Sequence, residues 1–254
     1  MLSLCNNWEF APEWTEAFAR GEGTAEAVRL PHTVKEIPLH YADHTSYQMI
    51  CGYRRQLELG PELEGKRLFL QFDGAAHIAT VYLNGKELGH HRCGYTAFRV
   101  EITEAADLGG ENLLTVKLDT TENPEVPPFG FVIDYLTYGG LYREAWLDIR
   151  EKSHITDLYV TTPDLSTLKI RPTLTEEKNC LVLVELLKGE RQLVRKAFTP
   201  GGVITIDCPG VKPWEPEHPV LYTCRVSLVK HSQVTDVQEV KVGFRTAQFK
   251  ADGL

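Results

Sequence analysis

Chemistry needs particular side chains close together, and few stretches of this sequence offer them. The densest metal-ligating group is His90-His91-Arg92-Cys93. Neighbours on an extended chain point to opposite faces, so these two histidines are not expected to share one ion. Glu176-Glu177 supplies paired acids, the residue type that glycoside hydrolysis sets about 5–10 Å apart across the scissile bond. On a strand the two diverge, and they are expected at a solvated hairpin tip. No Gly-x-Ser-x-Gly elbow, phosphate-cradling loop or dinucleotide glycine fingerprint occurs. The residue types alone assemble no catalytic constellation.

One segment stands apart. Residues 120–140 join two strand-like runs and combine Phe129, Phe131, Tyr135 and Tyr138 with a single central acid, Asp134. Loops of this length without regular structure are uncommon and often functional. Aromatic faces pack on the apolar side of a sugar ring, and a carboxylate takes paired hydrogen bonds from adjacent hydroxyls. The same residues would also serve to fasten the loop to the protein, with Asp134 capping a turn. Both readings stand at this level.

Such a loop has to be held by strands, and the chain is rich in them. Alternating or β-branched runs recur at 53–59, 67–72, 78–83, 113–118, 144–149, 155–161, 168–174, 181–187, 203–206, 221–229 and 234–242. Asp73-Gly74, Asn84-Gly85, Gly109-Gly110, Lys188-Gly189 and Gly201-Gly202 separate them. Asn84-Gly85 is the sharpest signal, because both central residues of a type I′ turn need positive φ. Short helical pieces are expected at 12–18 and 103–108. Closely spaced strands without crossover helices predict an all-β protein of antiparallel sandwiches and exclude a Rossmann fold. Two domains are expected, residues 1–150 and 151–247, jointed at Arg150-Glu151-Lys152-Ser153.

The 254 residues are 43% hydrophobic and 24% charged, enough to bury a core and unlike a disordered or collagenous chain. A net charge of −8 with scattered basic residues argues against a nucleic-acid partner. No apolar run approaches the ~20 residues that span a bilayer, so no membrane partner is expected. The N-terminus lacks a secretory signal, and the six cysteines carry no Cys-x-x-Cys spacing. A cytoplasmic protein with small, buried, reduced thiols follows.

An ordered series of motifs then resembles the N-terminal part of a glycoside hydrolase family 2 enzyme, the group of β-galactosidases, β-glucuronidases and β-mannosidases. The series runs Leu30-Pro31-His32, Gly52-Tyr53-Arg54-Arg55, Val81-Tyr82-Leu83-Asn84-Gly85, Gly94-Tyr95-Thr96-x-Phe98 and Gly139-Gly140-Leu141-Tyr142-Arg143. It continues with Trp214-x-Pro216-x-x-Pro219-x-Leu221-Tyr222 and Val242-Gly243-Phe244-Arg245. The resemblance implies a galactose-binding-like jelly roll over 1–150 and an immunoglobulin-like sandwich over 151–247. Residues 248–254 would lead into a catalytic (β/α)₈ barrel, which itself needs about 250 residues. The family's acid/base lies in an Asn-Glu dipeptide, and these 254 residues have none. The resemblance therefore implies a chain without catalytic residues of its own, expected to hydrolyse no glycoside without the barrel. It also implies that Asp134, six residues before Gly140, binds sugar hydroxyls, with Tyr135 and Tyr138 beside it. Trp214, Phe244 and Arg143 are expected as packing and interdomain residues. The expected partners are a β-glycoside, by preference a galactoside, and the barrel, with a homo-oligomer allowed and no cofactor or metal. The alternatives are a free-standing carbohydrate-binding module and a β-glucuronidase fragment.

Overall fold

The computed structural model describes residues 1–36, 43–127, 138–248 and 251. Two compact units divide the chain, Met1–Ile149 and Arg150–Leu254. The first contains β1 (Leu2–Ser3), β2 (Trp8–Ala11), β3 (Glu26–Val28), β4 (Ile50–Glu58) and β5 (Arg67–Phe72). It continues with β6 (Ile78–Leu83), β7 (Lys86–Arg92), β8 (Phe98–Glu101), β9 (Glu111–Asp119) and β10 (Ala145–Arg150). Six strands form one sheet, in the order β3-β2-β4-β9-β6-β7, and four form the other, β1-β10-β5-β8.

Alternation explains why these sheets face each other. Ala79, Val81 and Leu83 of β6 and Leu114, Val116 and Leu118 of β9 are completely buried, while the residues between them face the other side of the sheet, where Thr115 is buried as well. They meet Leu68, Leu70 and Phe72 of β5 in one core centred on Trp8 and Tyr53. Each buried Val, Leu or Phe among them contributes about 1.5–3 kcal/mol.

The Asn84-Gly85 turn has φ of 54° and 77° and closes the β6–β7 hairpin, as expected. It also creates β7, which the hydrophobic pattern of Lys86–Arg92 does not announce: this is an edge strand, and polar residues suit an edge. The two short helical pieces fare differently. Glu16–Ala19 forms one turn, α1, capped by the Thr15 hydroxyl accepting from the Phe18 N–H at 3.0 Å. Residues 103–105 make only a turn.

The second unit contains β11 (Ile155–Thr161), β12 (Thr167–Leu174), β13 (Cys180–Lys188), β14 (Arg191–Phe198), β15 (Ile204–Asp207), β16 (Tyr222–Lys230) and β17 (Gln233–Val242). Three strands (β11-β12-β15) and four strands (β14-β13-β16-β17) enclose a separate core around Tyr222, Phe244, Val184 and Val226. Glu176-Glu177 is not a hairpin tip. It connects β12 in one sheet to β13 in the other, where Glu176 accepts from Lys230 Nζ at 2.6 Å and from the Ser153 hydroxyl at 2.8 Å. The protein is therefore all-β, a galactose-binding-like sandwich followed by an immunoglobulin-like one.

Candidate functional site

Asp134 and Tyr135 lie outside the described residues, as do Phe129 and Phe131. Tyr138 is described and stands 48% exposed where the segment returns to the sandwich. The frame that holds both ends of this segment is on view.

At the entry, Thr120 is fully buried immediately after β9. Its hydroxyl donates to the Tyr47 carbonyl at 2.6 Å and accepts from the Met49 N–H at 2.9 Å. The Asp119 carboxylate accepts from the Thr121 N–H at 2.9 Å and the Thr121 hydroxyl at 2.6 Å, an Asx turn that starts the excursion. At the exit, the Gly139 and Leu141 carbonyls accept from the N–H groups of Val34 (2.9 Å) and His32 (2.8 Å). Gly140 pairs with Ala76 in both directions, at 3.0 and 3.2 Å.

The two glycines permit this closeness. A Cβ on Gly139 would sit 2.7 Å from Thr120 Cβ, so entry and exit touch there. Gly140 has φ +136°, and a Cβ on it would run into the His32 carbonyl oxygen. Only glycine combines that φ with that approach.

A neighbouring turn braces the frame. The Gly94 N–H donates to the Pro127 carbonyl at 3.3 Å, and the Tyr142 hydroxyl donates to the Gly94 carbonyl. Arg143 Nη1 donates to the carbonyls of Tyr95 (3.1 Å) and Asp73 (3.3 Å), with its guanidinium over the Tyr142 ring. Arg143 thus grips backbone carbonyls as its planar fork allows, and both belong to the first unit. Trp214 and Phe244 pack within the second: the Trp214 N–H donates to the Phe244 carbonyl at 2.8 Å, and Phe244 meets Tyr222 edge-on.

Beneath the frame lies a set of buried polar groups. His32 Nδ1 and the Tyr53 hydroxyl are 2.8 Å apart. Burial holds the His32 pKa below its usual value, with the Glu26 charge opposing, and pushes the Tyr53 hydroxyl up. His77 follows Ala76 and is 3% exposed, and neither ring nitrogen has a hydrogen-bond partner among the described residues. Burial lowers its pKa as well, against the nearby Asp119 charge. Both imidazoles are therefore neutral near pH 7.

The motif series contains His32 and Tyr53 without marking a role for either, and His77 stands in no motif. His90 and His91 lie on β7, and His91 is occupied by stacking on Phe98 (4.5 Å between centroids) and by Thr96 Oγ1 at 2.9 Å. Among the described residues no three His, Cys, Asp or Glu side chains gather as a metal site, and no helix is long and apolar enough to cross a membrane. What the frame can do chemically is present a segment rigidly at both ends.

Residues 38–126 match the family model described as the glycosyl hydrolase 2 galactose-binding domain-like family, and residues 153–245 match glycosyl hydrolases family 2. A sandwich with a framed segment, followed by a second sandwich, defines the class of fold, that of the domains these two family models describe. The chain belongs to glycosyl hydrolase family 2. A β-galactosidase of Thermoanaerobacter pseudethanolicus is 33% identical across the whole chain, which spans 36% of that relative. A β-glucuronidase of Bacteroides fragilis is 34% identical over 70% of the chain, covering 25% of its own length. Among solved structures, Bacteroides uniformis β-glucuronidase 2, covalently bound to cyclophellitol-6-carboxylate aziridine, superposes with a TM-score of 0.83 at 25% identity. That match covers 97% of this chain and 32% of the other. The chain thus spans about a third of the length of the curated relatives it matches most fully.

Proposed function

We propose that this chain is the non-catalytic, sugar-positioning part of a retaining β-glycosidase, and that its substrate is a β-galactoside. The observation that carries this reading is the 33% identity to a β-galactosidase over the full 254 residues, through both sandwiches. The framed segment supports it, since Gly139-Gly140 and Thr120 hold the two ends of the segment whose sequence contains Asp134. Asp134 binds adjacent hydroxyls of the non-reducing sugar, with Tyr135 and Tyr138 alongside, while two glutamates of a barrel domain perform the hydrolysis. Six free thiols, five of them buried, suit a reducing cytoplasm.

A β-glucuronidase is the second reading, favoured by the 34% identity over 70% of the chain to the Bacteroides fragilis enzyme. Kinetics on the barrel-containing protein separate the two. Asp134→Ala is expected to lower kcat/KM on nitrophenyl β-galactoside by about 10²-fold or more, with Tm unchanged. A large fall in Tm with kcat/KM retained would instead make Asp134 a turn cap. Faster turnover of the glucuronide than the galactoside would favour the second reading. The 254-residue chain alone is expected to hydrolyse neither, and turnover that survives repurification refutes the non-catalytic assignment.

A further inference from the structure

The far end of β4 carries a feature that the sugar-positioning role does not use. Arg55 alternates with Tyr53 and Leu57, both core residues, so its side chain enters the sandwich from the core-facing side of the strand. It lines a cleft of about 600 Å³, together with Leu2, Leu4, Leu57, Leu59 and Leu147. The cleft is open because β2 pairs only with Gly52–Arg54, leaving β4 from Arg55 to Glu58 without a neighbour on that edge among the described residues. It lies about 20 Å along β4 from the frame around Thr120, at ~3.3 Å per residue.

The guanidinium is incompletely satisfied. Nη1 donates to the Leu4 carbonyl at 2.7 Å and Nε to the Gln56 carbonyl at 3.3 Å, and the group lies 5.9 Å from the Trp8 ring. No carboxylate pairs with it among the described residues. Of the two acids at the cleft, Glu9 is held by Arg54 at 2.5 Å, and Glu58 sits on the opposite, outward side of β4. Burial lowers the Arg55 pKa, the signature of a cation whose lost hydration is not replaced by an anion. A half-buried charge among leucines is costly until paired, and a guanidinium pairs best with a planar, two-oxygen acceptor.

We propose that this cleft binds a small organic carboxylate with an aliphatic body, its carboxylate on Arg55 and its chain among the leucines. The probe is hexanoate, titrated calorimetrically into the 254-residue chain, with the isosteric but neutral hexanamide as control. Saturable binding of hexanoate with a Kd on the order of 1 mM or below is expected, with hexanamide weaker by about tenfold or more. Arg55→Gln should abolish the preference for the acid. Leu2→Trp should block binding with Tm unchanged, because Leu2 lines the cleft from the two-residue strand β1 and is 57% exposed. This second variant decides the matter if Arg55→Gln fails to fold. Absence of saturable binding, equal binding of acid and amide, or full binding by the folded variants overturns the proposal.

Discussion

Two neutral histidines and one glycine set the behaviour of the frame at the residue scale. His32 and His77 both have pKa values lowered by burial, whereas in the unfolded chain they titrate near 6.5. Below that pH the unfolded state binds more protons, so stability is full above about 6.5 and declines as pH falls toward the lowered native values. The melting temperature is therefore expected to drop between pH 7 and pH 5.5. His77→Leu should flatten that drop at little cost in stability, because it removes ring nitrogens that have no partner among the described residues. An unchanged pH slope in the variant would show that His77 is not a source of it. Gly140→Ala should destabilise by more than about 2 kcal/mol in urea titration, since φ +136° and the His32 carbonyl exclude a methyl group. These effects were not legible in the sequence. A histidine's burial and a glycine's φ depend on chain segments more than a hundred residues away, such as His32 against Gly140.

At the scale of elements, the strands with strong alternation read directly from the residues. Arg67–Phe72 and Ile78–Leu83 form with the expected ends because each buries every second side chain, and Ile155–Thr161 also forms with its expected ends although a bulge after Ile155 interrupts its alternation. Lys86–Arg92 and Arg191–Phe198 did not read as strands, since edge positions need no continuous apolar face and are fixed by a hairpin partner instead. The Asn84-Gly85 turn does that work for β7. Asn84 adopts φ 54°, its Oδ1 accepts from the Leu113 N–H at 2.9 Å, and its Nδ2 donates to Asn112 Oδ1 at 3.0 Å. Asn84→Val should cost about 1–2 kcal/mol by chemical denaturation, because a β-branched residue resists positive φ. Amide exchange along β7 should accelerate in step.

For the whole molecule, the two cores share no residue: one is built around Trp8 and Tyr53, the other around Tyr222 and Phe244. Residues 150–248 expressed alone should therefore melt in a single cooperative transition, read by near-ultraviolet circular dichroism. Loss of that signal would show that the second sandwich depends on the first. Fold class was legible at this scale, because strand spacing and turn residues accumulate along the chain. The candidate site was legible only as a segment, since residue types in 120–140 point to sugar chemistry while the groups that hold it come from Tyr47 and Met49 ahead of β4, Ala76 ahead of β6 and the 30–34 stretch.

The contact between Gly139 and Thr120 closes a ring of backbone whose base is a non-covalent contact. Once its ends are joined, the ring's contribution to folding is chiefly a polymer entropy that grows with the logarithm of its length, about 0.6 kcal/mol for each doubling. Residues inside the ring are thus free to be lengthened, shortened or exchanged at small thermodynamic cost to the sheets beneath. Under the proposed function, the sugar preference can therefore change within that ring while the closure at Gly139 and Thr120 is kept.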